Sequence, residues 1–259
     1  MNRIESIFQQ CRAENRAALI IFAEAGYPNL AQSEQAINTA IENGADIIEL
    51  GIPFSDPMAD GPTISAAGQT AIENGATLVN ILEMAERIRR KHPQTGMILF
   101  SYFNVMYNYG LEKLCAKLQE ISLDGILAVD LPVEERDELL APCRAHGLHL
   151  IPLVSPATSP ERAKTIVEDI TGFVYYVSVR GITGARASMP PELAQKLETI
   201  RQLSPVPVVV GFGIASQEAA HTVASCADGV VVGSAFVSAC HQPEQAAALI
   251  RDLRKGCMR

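Results

Sequence analysis

A chain of 259 residues, 48% hydrophobic and 19% charged, has material for a large core and too few charges for disorder. A formal net charge of −8, no tryptophan and 5% aromatic residues exclude a nucleic-acid groove, which needs a basic surface and stacking platforms. No run approaches the roughly 18 apolar residues of a membrane span, so neither nucleic acid nor membrane is expected as a partner.

Ile4, Ile7, Phe8 and Cys11 fall on one face of an N-terminal helix, and the start lacks the apolar run of a secretion signal. Behind it, short apolar runs predict strands at Ala18–Ala23, Asp46–Leu50, Met97–Phe100, Gly125–Val129, Leu148–Leu153, Phe173–Val177, Val206–Val210 and Gly229–Val232. Helical periodicity fills the gaps at Gln32–Asn43, Leu78–His92, Leu111–Ile121, Glu134–His146, Pro160–Ile170, Pro191–Leu203, Gln217–Ala224 and Pro243–Lys255. Two connections are long, Gly51–Ala76 and Ser178–Pro191. Cys11, Cys115, Cys143, Cys226, Cys240 and Cys257 are scattered, with no C-x-x-C pair and no histidine at metal spacing. They read as thiols of a reducing cytosol, so a cytoplasmic chain without a bound metal is expected.

Runs such as Val208–Val210 and Val230–Val232 are apolar on both faces, the mark of parallel strands covered by helices. Eight of them would build a doubly wound sheet or a closed barrel. Alternation to the very end, with no dinucleotide fingerprint after the first strand, favours the barrel. The expectation is a single (β/α)₈ TIM-barrel domain over residues 1–259, with an extra N-terminal helix and a short phosphate-binding helix after the eighth strand.

The seventh and eighth strands end in Gly211-Phe212-Gly213 and Gly233-Ser234. Either motif alone reads as a tight turn. In this order they suit a phosphate site, because glycine lets backbone N–H groups approach an anion and a helix beginning at Ser234 adds its dipole. Glu49 lies between Ile48 and Leu50 in the second strand, so its carboxyl either points into the barrel mouth or is paired in the core. Burial would raise its pKa towards the range of a group that donates and recovers a proton near neutrality. Asp60, taken alone, is a turn or cap residue and Asp56 a solvated loop acid. Their place in a long loop after a barrel strand favours a role in the site.

The segment Glu49-Leu50-Gly51-Ile52-Pro53-Phe54-Ser55-Asp56-Pro57, continuing through Ala59-Asp60-Gly61-Pro62-Thr63-Ile64, resembles the signature of the tryptophan synthase α subunit family. The likeness extends to Phe22, Gly26 and Pro28, to Tyr102 and Asn104, to Asp130, Pro132, Val133 and Glu134, and to the residues around the sixth, seventh and eighth strands. It implies a retro-aldol cleavage of indole-3-glycerol phosphate to indole and glyceraldehyde 3-phosphate. Glu49 would be the catalytic acid–base, Asp60 its partner, and Tyr175 a neighbour of the reacting centre. Phosphate would be held around Gly184, Gly213, Gly233 and Ser234, and indole among Phe22, Phe100, Leu127, Leu153 and Phe212, with Tyr102 and Thr183 also at the substrate. Residues Arg180–Arg186 resemble the family's mobile lid.

No cofactor is implied for the chain itself. Pyridoxal phosphate belongs to the β subunit of an α₂β₂ assembly, with Asp56 and Asn104 implied at the interface. Two alternatives stay open: a stand-alone indole-releasing lyase, and a non-catalytic ligand-binding regulator of a β-like partner. Other phosphate-binding barrels commonly use a strand-end lysine, and none is present here. One departure stands out: Glu24 occupies a position where the family usually has threonine, which leaves the pH optimum open.

Overall fold

The computed structural model describes residues 2–177, 191–211 and 213–259. Helix α1 (Arg3–Ala13) precedes β1 (Ala18–Glu24), and α2 (Leu30–Glu42) leads into β2 (Ile47–Gly51). Next come α3 (Pro62–Glu73), α4 (Leu78–Lys91), β3 (Gly96–Ser101), α5 (Phe103–Tyr109), α6 (Leu111–Glu120) and β4 (Gly125–Ala128). Helix α7 (Asp137–Ala145) is followed by two short strands, β5 (His149–Leu150) and β6 (Leu153–Val154). The remainder runs α8 (Pro160–Val167), β7 (Val174–Val177), α9 (Pro191–Leu203), β8 (Val208–Gly211), α10 (Gln217–Ala224), β9 (Gly229–Val232), α11 (Ser234–Ala239) and α12 (Pro243–Gly256).

The strands form one sheet in the order β5-β4-β3-β2-β1-β9-β8-β7-β6, with every pair parallel. Its two ends, β5 and β6, are separated only by Ile151 and Pro152. Ile151 N–H donates to Ile126 O at 2.8 Å on one side, and Tyr175 N–H donates to Pro152 O at 3.0 Å on the other. The two ends are therefore halves of one strand, and the sheet closes on itself as an eight-stranded TIM barrel. Proline has no N–H to give the ladder, so the predicted strand Leu148–Leu153 divides there. The predicted sixth, seventh and eighth strands are β7, β8 and β9.

Period-two alternation assigns each strand residue to one of two layers. Ile20, Ile47, Ile98, Leu127, Ile151, Phe173, Val209 and Val231 point inward and form one buried cluster with Ile4, Ile7, Phe8 and Cys11 of α1. Their alternates, such as Leu19, Ile48, Leu50, Leu99 and Val210, pack against the outer helices. Helix α1, started by an Asn2–Glu5 capping box, therefore plugs the N-terminal end of the barrel. Gly96 makes room for it, since a Cβ there would lie 2.8 Å from both Ile4 Cδ1 and Ile47 Cγ1.

At this bottom rim three aspartates each tie a strand to its neighbour. Asp46 accepts the N–H of Leu19 at 2.8 Å, Asp124 that of Met97 at 2.8 Å, and Asp228 that of Val208 at 3.0 Å. Arg16 grips Asp46 with two hydrogen bonds of 2.8 and 3.0 Å. Asp124 is held by Arg3 and, at 3.0 Å, by Arg89.

Two helices were not assigned from periodicity. Helix α3 occupies part of the long connection 51–76. Helix α5 is seven residues long, and the first of its N–H groups, at Phe103, is held by Asp130 Oδ1 at 2.7 Å from the loop after β4. That partner lies 27 residues away and is invisible to a local pattern. The expected lid falls within 178–190, outside the described residues.

Candidate active site

Glu49 is the penultimate inward-facing position of β2, paired with Phe22 of β1 and Ile98 of β3. Its side chain is fully buried, and neither carboxylate oxygen has a hydrogen-bond partner. Burial without compensation disfavours the charged form, and its pKa is pushed up to about 8. The ordinary fate of a buried acid is pairing, as at the bottom rim. Glu49 has none, so near pH 7 it is a neutral acid poised to give up its proton.

Across the lumen, Tyr175 of β7 faces the same space. Its hydroxyl is driven well above the ordinary range by burial and by the charge of Glu49. The ring lies across Gly211, where a Cβ would sit 2.1 Å from the Tyr175 hydroxyl oxygen. Gly211 is thus required by close approach, and the glycine that ends β8 positions the tyrosine.

Asp60 sits just before α3, whose N-cap is Gly61 and whose first residue is Pro62. Tyr102, at the end of β3, organises it. Ala59 N–H donates to the Tyr102 hydroxyl at 2.9 Å, and that hydroxyl donates to Asp60 Oδ2 at 3.1 Å. Phe54 stacks on the Tyr102 ring at 4.9 Å. Asp60 is half-buried and its pKa is raised by burial, an effect the tyrosine's hydrogen bond opposes. The Tyr102 hydroxyl is pushed up to about 12, chiefly by burial, so it remains a donor. The positioning role of Tyr102 was not legible beforehand, since residues 60 and 102 meet only in the fold.

Phe22 joins the two ends of the site. It meets Phe100 edge-on at 5.0 Å, and it packs 3.6 Å from the Cβ position of Gly233. Phe22, Phe100 and Asp60 line one hollow with Ile64 and Tyr102, holding about 10 Å³ of free space, room for one water. Leu127 is fully buried in the lumen cluster and forms floor, whereas Leu153 and Phe100 are its half-buried upper edge. The two glycine turns are neighbours because β8 pairs with β9. Gly213 is exposed with φ of +56°, a conformation that favours glycine, and Gly233 caps α11, which starts at the exposed Ser234. Thr183, Gly184 and Phe212 lie outside the described residues.

Glu24 is the last residue of β1, only 7% exposed, and on the inward side. A third acid does face the site, and the like-charge repulsion falls on Glu24 itself: its pKa is raised by burial and by Asp60. Its carboxyl oxygens approach the Cβ positions of Gly51 and Gly68 at 3.0 and 3.1 Å. Gly68 lies inside α3, and a glycine within a helix was the available signal that something packs closely there. No group of three or more His, Cys, Asp or Glu among the described residues is placed to hold a metal ion.

The family model for the tryptophan synthase alpha chain matches residues 8–257. The chain belongs to the tryptophan synthase α family. It is 45% identical over 237 residues to the tryptophan synthase alpha chain of Geobacter sulfurreducens, covering 92% of this chain and 89% of that one. With the Aquifex aeolicus alpha chain the identity is 40%, over 99% of both. Among solved structures, Mycobacterium tuberculosis tryptophan synthase superposes with a TM-score of 0.93 at 36% identity, covering 100% of this chain and 99% of the other. The alpha subunit from Legionella pneumophila gives 0.91 at 35%, over 99% and 98%.

The surface expected to meet a partner in this α-family chain is open. Asp56 and Asn104 are exposed, accepting hydrogen bonds from Ser55 at 2.5 Å and Asn108 at 2.9 Å. Met58 is 86% exposed and Tyr107 58%. Tyr102 ties the loop bearing Asp56 and Met58 to the start of α5, which bears Asn104 and Tyr107.

Proposed function

We propose that Glu49, Asp60 and Tyr175 carry out the α reaction of tryptophan biosynthesis, a lyase step cleaving indole-3-glycerol phosphate into indole and glyceraldehyde 3-phosphate. The observation that carries this assignment is the neutral, unpartnered Glu49 carboxyl in the lumen, on the mouth side of the barrel cluster. Glu49 donates its proton to indole C3, which places positive charge on the ring nitrogen. The Asp60 carboxylate, oriented by Tyr102, stabilises that charge at the N–H. The bond from C3 to the side chain then breaks, its electrons restore the aromatic ring, and the side-chain hydroxyl becomes the aldehyde. Glu49, now a carboxylate, takes the hydroxyl proton and returns to its starting form, so the proton balance closes on one residue. Tyr175 walls the reacting carbon, and phosphate binds to main-chain N–H groups around Gly184, Gly213, Gly233 and Ser234. Phe22, Phe100, Leu153 and Phe212 clasp the indole above Leu127, with Thr183 beside the substrate.

The chain needs no cofactor in this reading and acts in the cytoplasm. Its partner is a pyridoxal-phosphate β subunit in an α₂β₂ assembly, which covers Asp56, Met58, Asn104 and Tyr107. Indole release from indole-3-glycerol phosphate by wild type and Glu49→Gln, each with and without a β subunit, tests the assignment. Removing a general acid lowers turnover by about 10²–10⁴-fold; equal turnover by the two proteins would remove Glu49 from the mechanism.

A further inference from the structure

The substrate's ring offers one hydrogen-bonding group, its N–H, and Asp60 takes it. The same hollow holds a second buried carboxyl that this chemistry leaves idle. Glu24 faces Asp60, Phe22, Phe100 and Ile64, wedged between the end of β2 and helix α3 by the room left at Gly51 and Gly68. It makes no hydrogen bond among the described residues, and the polar groups around it are engaged elsewhere. The Tyr102 hydroxyl donates to Asp60, Ser65 Oγ donates to Asp60 O at 3.3 Å, and Ser101 Oγ donates to Ile52 O at 3.1 Å.

A carboxyl that the protein leaves without a partner is a hydrogen-bonding group that a ligand in the hollow can engage. Burial, and after it the charge of Asp60, push the Glu24 carboxyl well above the usual carboxylate range, and in its protonated form the side chain offers both an O–H donor and a carbonyl acceptor. Both suit a hydroxyl or an amine. Neither suits a hydrocarbon ring edge.

We propose that Glu24 is a specificity-determining residue, placed to exchange hydrogen bonds with a hydroxyl or amino substituent on the six-membered ring of an indole-3-glycerol phosphate. The inference rests on the lyase reading for the orientation of the ring, with the N–H at Asp60 and the benzo edge at Glu24. The test is equilibrium binding of indole and of its four benzo-ring monohydroxy isomers to wild type, Glu24→Gln and Glu24→Leu. Wild type is expected to bind one isomer about tenfold tighter than indole. Glu24→Gln, which keeps a donor and an acceptor, retains that ranking. Glu24→Leu reverses it, binding indole tighter than any hydroxyindole.

A wild type that prefers indole to all four isomers overturns the proposal, whether or not the leucine variant folds. So does one ranking shared by all three proteins, the result expected if a bound water satisfies Glu24. Indole release from the unsubstituted substrate, measured alongside, separates the two readings. Intact release with a Glu24-independent ranking sinks this inference alone, while a Glu24-dependent ranking without release sinks the lyase assignment.

Discussion

Buried acids stand at both ends of this barrel, and the fold treats them in opposite ways. At the bottom, Asp46 and Asp124 each take a strand N–H and at least one guanidinium, and Asp228 takes a strand N–H. Their negative charge is spent on holding neighbouring strands in register. At the top, Glu49 is fully buried with both carboxyl oxygens unpartnered and is pushed up to about 8, and Glu24, 7% exposed, makes no hydrogen bond among the described residues. All five are carboxyls at the ends of barrel strands, and the difference lies in their neighbours. Acids paired with a guanidinium are architecture; acids at the mouth without one are candidates for chemistry.

That division predicts a double dissociation, beginning with its largest effect. Glu49→Gln abolishes most turnover, by the 10²–10⁴-fold of a lost general acid, and leaves the protein folded. Asp124→Ala does the converse. It strands the Arg89 guanidinium, 7% exposed, without its carboxylate and frees the Met97 N–H. Breaking a buried pair from one side costs about 3–5 kcal/mol, to be read from urea denaturation, while turnover of the folded fraction stays within a few-fold of wild type. If Asp124→Ala were as stable as wild type, the bottom acids would not be the fasteners described here.

The next effect, of similar origin and smaller size, is the pH dependence of Glu49 itself. Unfolded, the carboxyl titrates at its ordinary 4.5; folded, at about 8. Between those values the native state binds the extra proton. The residue's stability is therefore fully present below 4.5, falls as pH rises, and levels off above about 8. Glu49→Gln removes the penalty, so it should exceed wild type in stability by about 3 kcal/mol more at pH 8 than at pH 5. A difference independent of pH would mean that Glu49 is paired after all.

Much of this was legible beforehand, for identifiable reasons. Parallel strands are apolar on both faces, so an acid between Ile48 and Leu50 announced itself, and the two glycine-ended strands are neighbours in the sheet as their order implied. The signature around Glu49 to Ile64 carried the family. What could not be read is long-range. Tyr102 reaching back to Asp60, Asp130 capping α5, and Glu24 occupying the room at Gly51 and Gly68 join residues 27 to 44 positions apart with no local periodicity. Pro152 was visible, but its effect on the ladder depends on which neighbours flank it. Glu24 stood out as a departure from the family, but its closeness to Asp60 shows only in the fold. Burial and the charge of Asp60 raise Glu24, while at Asp60 the hydrogen bond from Tyr102 opposes the rise that burial causes.

The smallest effect concerns a residue that belongs to neither class of acid. Gly211 ends β8 with the Tyr175 ring laid across it, and an added Cβ would sit 2.1 Å from the hydroxyl oxygen and 2.6 Å from Cζ. Both atoms belong to a ring held in a packed lumen, so Gly211→Ala must push Tyr175 towards the reacting space. Overpacking of this kind costs about 1–3 kcal/mol, and turnover falls with it because the displaced ring intrudes on the site. Adding Tyr175→Phe deletes the nearer clashing atom while leaving the ring. If the hydroxyl is the obstacle, the double variant regains part of the stability lost by Gly211→Ala, and the two substitutions are not additive. Strict additivity would place the strain elsewhere and leave the glycine at the end of β8 as a turn residue only.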